Sequence, residues 1–135
     1  MDLFSKFKTN EDKERDGVWV SLDGEGSIRI ARTNNPLYRE AMLRKMNRYK
    51  MAAKSKVIPD DAWLDIVNEL IAETILVDWE GITEKGEPLS YSVENAKRVL
   101  TELKDFREMV LSIADNMDNF KEELDEGTEK NSVRP

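Results

Sequence analysis

The strongest constraint on the fold is a run of apolar residues at helical spacing near the end of the chain. Over residues 103–124 these residues recur at alternating intervals of three and four. Such intervals place them on one face of an α-helix. Because the run covers only about three heptads, a helix facing a core is favoured over a coiled coil. Its members are Leu103, Phe106, Val110, Ile113, Met117, Phe120 and Leu124.

Three further helices are predicted upstream from the same kind of spacing. Each begins at a recognised start signal, either a proline near the first turn or a serine cap. A single helix over residues 92–124 would be about 50 Å long at ~1.5 Å per residue. That length exceeds the diameter of a compact domain of this size, so a break in the helix is predicted near residues 104–105. The predicted helices span residues 36–54, 60–77, 92–104 and 105–124.

An N-terminal β-hairpin is predicted over residues 17–32. Apolar and polar residues alternate on both sides of a turn that contains Gly24 and Gly26, and glycine supplies the positive φ angles that a tight reversal needs. Two strands alone are only marginally stable. The hairpin is therefore expected to lie on the helices or on another subunit.

The predicted fold class is mainly α, with about four helices, an N-terminal β-hairpin and a flexible acidic C-terminal tail. The length of 135 residues is that of one domain. Residues 1–16 are mostly polar and are interpreted as a loosely ordered arm, residues 17–124 as a single globular domain, and residues 125–135 as a disordered tail with little to bury. Residues 77–91 contain two glycines and a proline beside large apolar groups, which predicts an ordered loop.

The composition removes most catalytic chemistry. The chain has no Cys and no His, so it lacks thiolate and imidazole ligands and the usual nucleophile systems. No phosphate-binding glycine motif and no calcium loop is present, and the acidic stripe of residues 60–77 is interpreted as a solvated face. We therefore expect no enzyme activity, no cofactor and no metal site. Because no apolar run approaches the ~20 residues of a membrane span, a soluble cytoplasmic protein without membrane contact is expected.

Charge is distributed unevenly along the chain. The net charge of −7 divides into −3 over residues 1–28, +8 over residues 29–56 and −12 over residues 57–135. A basic middle between acidic ends favours mutual neutralisation in the folded protein over a nucleic-acid site. The alternative is a small nucleic-acid-binding regulatory protein that uses the basic helix 36–54. Its phosphate contacts would be Arg39, Arg44, Arg48 and Lys50.

Several short motifs occur in an order that resembles one known family. The sequence Asn-Asn-Pro-Leu-Tyr covers residues 34–38, Asp-Trp-Glu-Gly covers residues 78–81, and Gly-Glu-Pro-Leu at residues 86–89 precedes Tyr-Ser at residues 91–92. In this order they resemble the tail assembly chaperones of long-tailed, non-contractile bacteriophages. The resemblance extends over residues 4–124. It departs from the family at residues 103–106, where a helix-breaking proline is expected and absent.

The resemblance implies a protein that binds the phage tape measure protein and keeps it soluble while the tail tube polymerises. It also implies action in the host cytoplasm, absence from the mature virion, and contact with the major tail protein or self-association. Nucleic acid is disfavoured as a partner. In this family a longer form often arises by programmed ribosomal frameshifting, and Glu129-Lys130-Asn131 can be encoded with a slippery heptamer.

Six residues are predicted to contact the client protein. Four are large apolar side chains that suit adaptable binding of a helix, and two are cations that would steer the approach of the client. These residues are Trp79, Met117, Phe120 and Leu124, with Arg44 and Arg48.

Overall fold

The computed structural model describes residues 1–52 and 57–122. Several predictions lie outside these residues: the end of the basic helix at residues 53–54, Leu124, and the tail 125–135. The helices are α1 Leu3–Phe7, α2 Glu11–Asp16, α3 Pro36–Ala52, α4 Asp60–Thr74, α5 Val93–Glu102 and α6 Lys104–Asp115, followed by a 3₁₀ helix at Met117–Phe120. The strands are β1 Val18–Leu22, β2 Gly26–Ile30, β3 Leu76–Glu80, β4 Thr83–Glu84 and β5 Glu87–Pro88.

The prediction of a mainly α fold with four helices is wrong. Within the described residues, six α-helices accompany five strands that form two antiparallel sheets. The predicted hairpin is the β1–β2 part of a three-stranded sheet with the order β1-β2-β3. The third strand covers the end of the predicted helix 60–77 and the start of the predicted loop 77–91. Its pairing joins Ile28 to Trp79 and Ile30 to Leu76, and such distant partners leave no signal in local spacing.

Two helices end earlier than the apolar spacing predicts. Helix α4 ends at Thr74. The carbonyl of the next residue, Ile75, accepts from the N–H of Ala31 at 2.8 Å, and β3 begins one residue later. Helix α6 ends before Asn116, which has extended backbone and caps the 3₁₀ helix with its side chain. A long-range hydrogen bond after α4 and a local side-chain cap after α6 therefore override an apolar repeat that continues in the sequence.

The core lies between one face of the three-stranded sheet and the helices. Val20, Ile28 and Ile30 have no exposed surface, as expected for alternate residues that share one face of a sheet. They pack in one cluster with side chains of α4, α5 and α6. The helical members of this cluster include Ile71, Ala72, Ala96, Leu100, Val110, Ile113 and Ala114.

Asn35 joins the start of α3 to the end of α4. It is only 4% exposed, and its side-chain oxygen accepts from the N–H of Tyr38 at 3.0 Å. Its amide nitrogen donates to the carbonyls of Arg32 and Thr74, at 2.8 and 3.0 Å. The Asn-Asn-Pro motif thus serves as a helix cap that also sets the position of α3 against α4.

Helix α2 is attached to the body of the protein at two places. The guanidinium of Arg32 pairs with the carboxylate of Glu14 at 2.9 Å and lies 5.7 Å from the ring centre of Phe120. The N–H of Asn10 donates to the carbonyl of Phe120 at 2.8 Å. Helix α1 lies beyond this attachment and contains no buried residue.

Candidate interaction surface

The Asp-Trp-Glu-Gly motif contributes to the core. Trp79 is 5% exposed, and its indole N–H donates to the carbonyl of Leu89 at 2.7 Å. Its ring meets the ring of Tyr91 edge to face, with centres 5.3 Å apart. The Tyr91 hydroxyl lies 2.8 Å from the carbonyl oxygens of both Ala72 and Leu76. These contacts hold the β4–β5 segment and the start of α5 against β3.

The Tyr91 hydroxyl is held in its protonated form. Burial raises the pKa of Tyr91 to about 12, and the negative charges of Asp78 and Glu73 act in the same direction. The carbonyl oxygens of Ala72 and Leu76 can only accept hydrogen bonds, so the Tyr91 hydroxyl must keep its proton to donate to them. The Asp-Trp-Glu-Gly motif and Tyr91 therefore have a structural role in the folded protein.

The predicted apolar contact residues do not form one exposed surface. Phe120 is fully buried, Trp79 belongs to the central core, and Met117 is half-buried in the 3₁₀ helix. A buried side chain offers no area to a partner, so the burial of Trp79 and Phe120 argues against direct contact in this conformation. Leu124 lies outside the described residues.

Helix α3 carries an exposed stripe of mixed apolar and basic character. Leu37, Arg44 and Met51 recur every seven residues, which places them on nearly the same side of the helix, and Arg48 lies between the last two. Leu37 is 48% exposed and Met51 is 87% exposed, while Arg44 and Arg48 are also exposed. We call these four residues the α3 ridge.

The basic residues of α3 differ in whether the fold neutralises them. Lys45 bonds to the carboxylates of Glu69 and Glu73 on α4, at 3.1 and 3.2 Å. Mutual neutralisation is thus confirmed for this lysine. Among residues 1–52 and 57–122, by contrast, Arg44 and Arg48 have no ion pair or side-chain hydrogen bond. Two cations of the ridge therefore remain available to a partner.

A small notch lies between α3 and α4 beside the ridge. Its volume is about 260 Å³, and its lining combines Tyr49 and Ile66 with the charged residues Lys45, Arg48 and Glu69. This volume is below the ~300–1,000 Å³ typical of small-molecule pockets. Because the ridge and the notch share Arg48, they form one surface, which the sequence had indicated only through its basic charge.

A larger cleft of about 520 Å³ lies where α2 meets the start of α3. Its basic groups are engaged within the protein. Arg32 pairs with Glu14, Arg15 pairs with Asp12 and Asp16, and Arg39 donates to the carbonyl of Asn34. The cleft therefore offers a partner less unpaired positive charge than the ridge does.

Over residues 1–52 and 57–122, no group of three or more acidic side chains could hold a metal ion. In the same ranges, no helix combines the length and apolar character needed to cross a membrane.

The fold and the surface define a small α+β protein with an exposed mixed ridge on its longest helix. The sequence model of the YdaY prophage protein family matches residues 33–131, which is most of the chain. The chain belongs to the YdaY prophage protein family and is a phage-derived protein. No curated protein and no solved structure matches it.

Proposed function

We propose that the chain is a phage tail assembly chaperone that binds the tape measure protein and keeps it soluble while the tail tube polymerises. Membership in a prophage protein family supports the phage setting of this proposal. The order of the motifs at residues 34–38, 78–81, 86–89 and 91–92 supports the assignment to tail chaperones. The observation that carries the proposal is the α3 ridge.

The ridge has the properties that a binding face for a helical client requires. Leu37 and Met51 provide exposed apolar area, and methionine adapts easily to different partners. Arg44 and Arg48 provide charge that is unpaired among residues 1–52 and 57–122, which favours fast and reversible association. Because the ridge lies on a regular helix of 17 residues, it is suited to contact between two helices.

The proposal assigns client binding to a surface different from the one suggested by the sequence. Arg44 and Arg48 keep their predicted role, now together with Leu37 and Met51. Trp79 and Phe120 are given structural roles because they are buried. Met117 is half-buried and stays a secondary candidate.

Co-expression with the tape measure protein tests the proposal. The tape measure protein should be soluble with the wild-type chain and should aggregate with the double variant Arg44→Glu/Arg48→Glu. The matched control is Lys50→Glu/Lys104→Glu, which changes the net charge equally at two exposed lysines and should retain activity. Aggregation of the tape measure protein in the presence of the wild-type chain would contradict the proposal.

The proposal extends to location and to further partners. The chaperone acts in the host cytoplasm, is absent from the mature virion, and contacts the major tail protein or further copies of itself. Mass spectrometry of purified virions checks its absence, and pull-down with the major tail protein checks that contact. The proposed longer frameshifted form requires a slippery heptamer in the coding DNA around Lys130, and a coding sequence without one rejects it.

The second candidate is a nucleic-acid-binding regulatory protein. It is favoured by Arg44 and Arg48, which have no charged partner in the part of the chain that the structure describes. The net charge of −7 weighs against it, because a nucleic-acid-binding domain is typically strongly basic. A gel shift should then show binding that weakens steeply as salt is raised. Absence of binding at low salt removes this candidate.

A further inference from the structure

We infer that the notch and the α3 ridge together receive one amphipathic helix, in which a large apolar side chain is flanked by carboxylates. The inference deepens the proposed function and rests on it only for the identity of the protein that carries this helix. It assigns a chemical character to the segment of the client that binds.

The notch specifies the apolar anchor. Tyr49 and Ile66 both pack in the small core between α3 and α4, and parts of them line the notch. A volume of about 260 Å³ suits one large side chain better than a small-molecule ligand. An anchor inserted there would bury apolar surface that the fold alone leaves open, which stabilises a complex.

The charges around the notch specify the flanks of the helix. Lys45 is only 11% exposed in its side chain and is held by Glu69 and Glu73, so it is neutralised within the protein. Arg48 borders the notch, and Arg44 lies one helical turn before it. Because guanidinium groups bind carboxylates through two parallel hydrogen bonds, the matching groups on the partner are Asp or Glu.

The spacing of the ridge specifies the shape of the partner. Leu37, Arg44 and Met51 recur every seven residues on a helix about 25 Å long, taking ~1.5 Å per residue. A second helix that lies alongside meets such a repeat at regular intervals. An extended strand would instead require an open backbone edge, which the side of an α-helix does not provide.

Two designed helical peptides test the inference by fluorescence anisotropy. Both carry one central Leu anchor, and they differ only in having Glu or Lys at the flanking positions. The Glu peptide should bind, should weaken as salt is raised, and should lose binding when its anchor is changed to Ala. The Lys peptide should bind much more weakly.

Variants of the protein locate the binding surface. Arg44→Glu/Arg48→Glu should weaken binding of the Glu peptide about tenfold, since it replaces two attractive contacts by two repulsive ones, and should strengthen binding of the Lys peptide. Lys50→Glu/Lys104→Glu should leave the preference for the Glu peptide in place. Circular dichroism of both variants should match that of the wild type because all four residues are exposed.

Three results would overturn the inference. They are equal binding of the two peptides, unchanged binding by Arg44→Glu/Arg48→Glu, and a dimer of the wild-type chain that this variant dissociates, which would make a second copy the occupant. A soluble tape measure protein with peptides that bind equally rejects the inference but not the proposed function. The expected peptide preference with an insoluble tape measure protein rejects the proposed function but not the inference.

Discussion

The indole nitrogen of Trp79 lies 2.7 Å from the carbonyl oxygen of Leu89 and donates to it. Trp79 is in β3, whereas Leu89 follows β5, so this bond closes the β4–β5 excursion onto the core. The edge-to-face contact of Trp79 with Tyr91 fixes the approach to α5 in the same place. One aromatic side chain thus anchors the connection between the sheet and the last helices.

Replacing Trp79 by Phe should destabilise the protein by about 1–3 kcal/mol, because it leaves the Leu89 carbonyl without its indole donor. The free energy of unfolding in urea measures the loss. Trp63→Phe is the control. Trp63 is 38% exposed, and its replacement should change stability by less than about 0.5 kcal/mol. Equal losses for the two variants would contradict this role of the Trp79 indole.

Stability should fall as the pH rises from 10 to about 12. The pKa of Tyr91 is raised from 10.0 to about 12 in the folded protein, so the unfolded chain loses this proton at lower pH than the folded chain does. The contribution of Tyr91 is therefore complete below pH 10 and is lost as the pH approaches 12. Between pH 10 and 12, the free energy of unfolding should fall more steeply with pH for the wild type than for Tyr91→Phe. Identical slopes would disprove the contribution of Tyr91.

Gly81→Ala should cost roughly 1–3 kcal/mol of folding free energy because of backbone strain and a close contact. Gly81 has a φ of +72°, and an added Cβ would lie 2.8 Å from the carbonyl oxygen of Glu25. Gly86 has a φ of +84° with open space around it, so Gly86→Ala isolates the strain. Thermal unfolding should rank Gly81→Ala as the less stable variant. The opposite order would show that the contact with the Glu25 carbonyl does not destabilise the protein.

Lys45→Met should destabilise the protein by about 1 kcal/mol, since it removes two ion pairs and leaves Glu69 and Glu73 to repel each other at a spacing of four residues. The loss should shrink in high salt, which screens both effects. Urea unfolding at two salt concentrations checks this. Lys50→Met, at an exposed position, should leave the free energy of unfolding unchanged at both salt concentrations. If Lys45→Met lost the same stability at both, an electrostatic role for Lys45 would be contradicted.

The fold could be predicted from the sequence where the signals are local. The β1–β2 hairpin follows from alternation around Gly24 and Gly26, and the start of α3 follows from the Asn-Pro pair. Strand β3 could not be predicted because its partners in β2 lie about fifty residues earlier, and the pairing is decided by packing rather than by strand propensity. The apolar repeat after Leu103 likewise did not reveal the end of α6 at Asp115.

For the proposed binding surface, only the basic charge could be predicted from the sequence. By itself the sequence determined that α3 is basic, that its start is capped, and that His and Cys chemistry is absent. The tertiary structure alone decided which cations are neutralised. Arg44 and Lys45 are neighbours in the chain but point about 100° apart around the helix. Lys45 therefore meets the carboxylates of α4, while Arg44 faces solvent on the ridge.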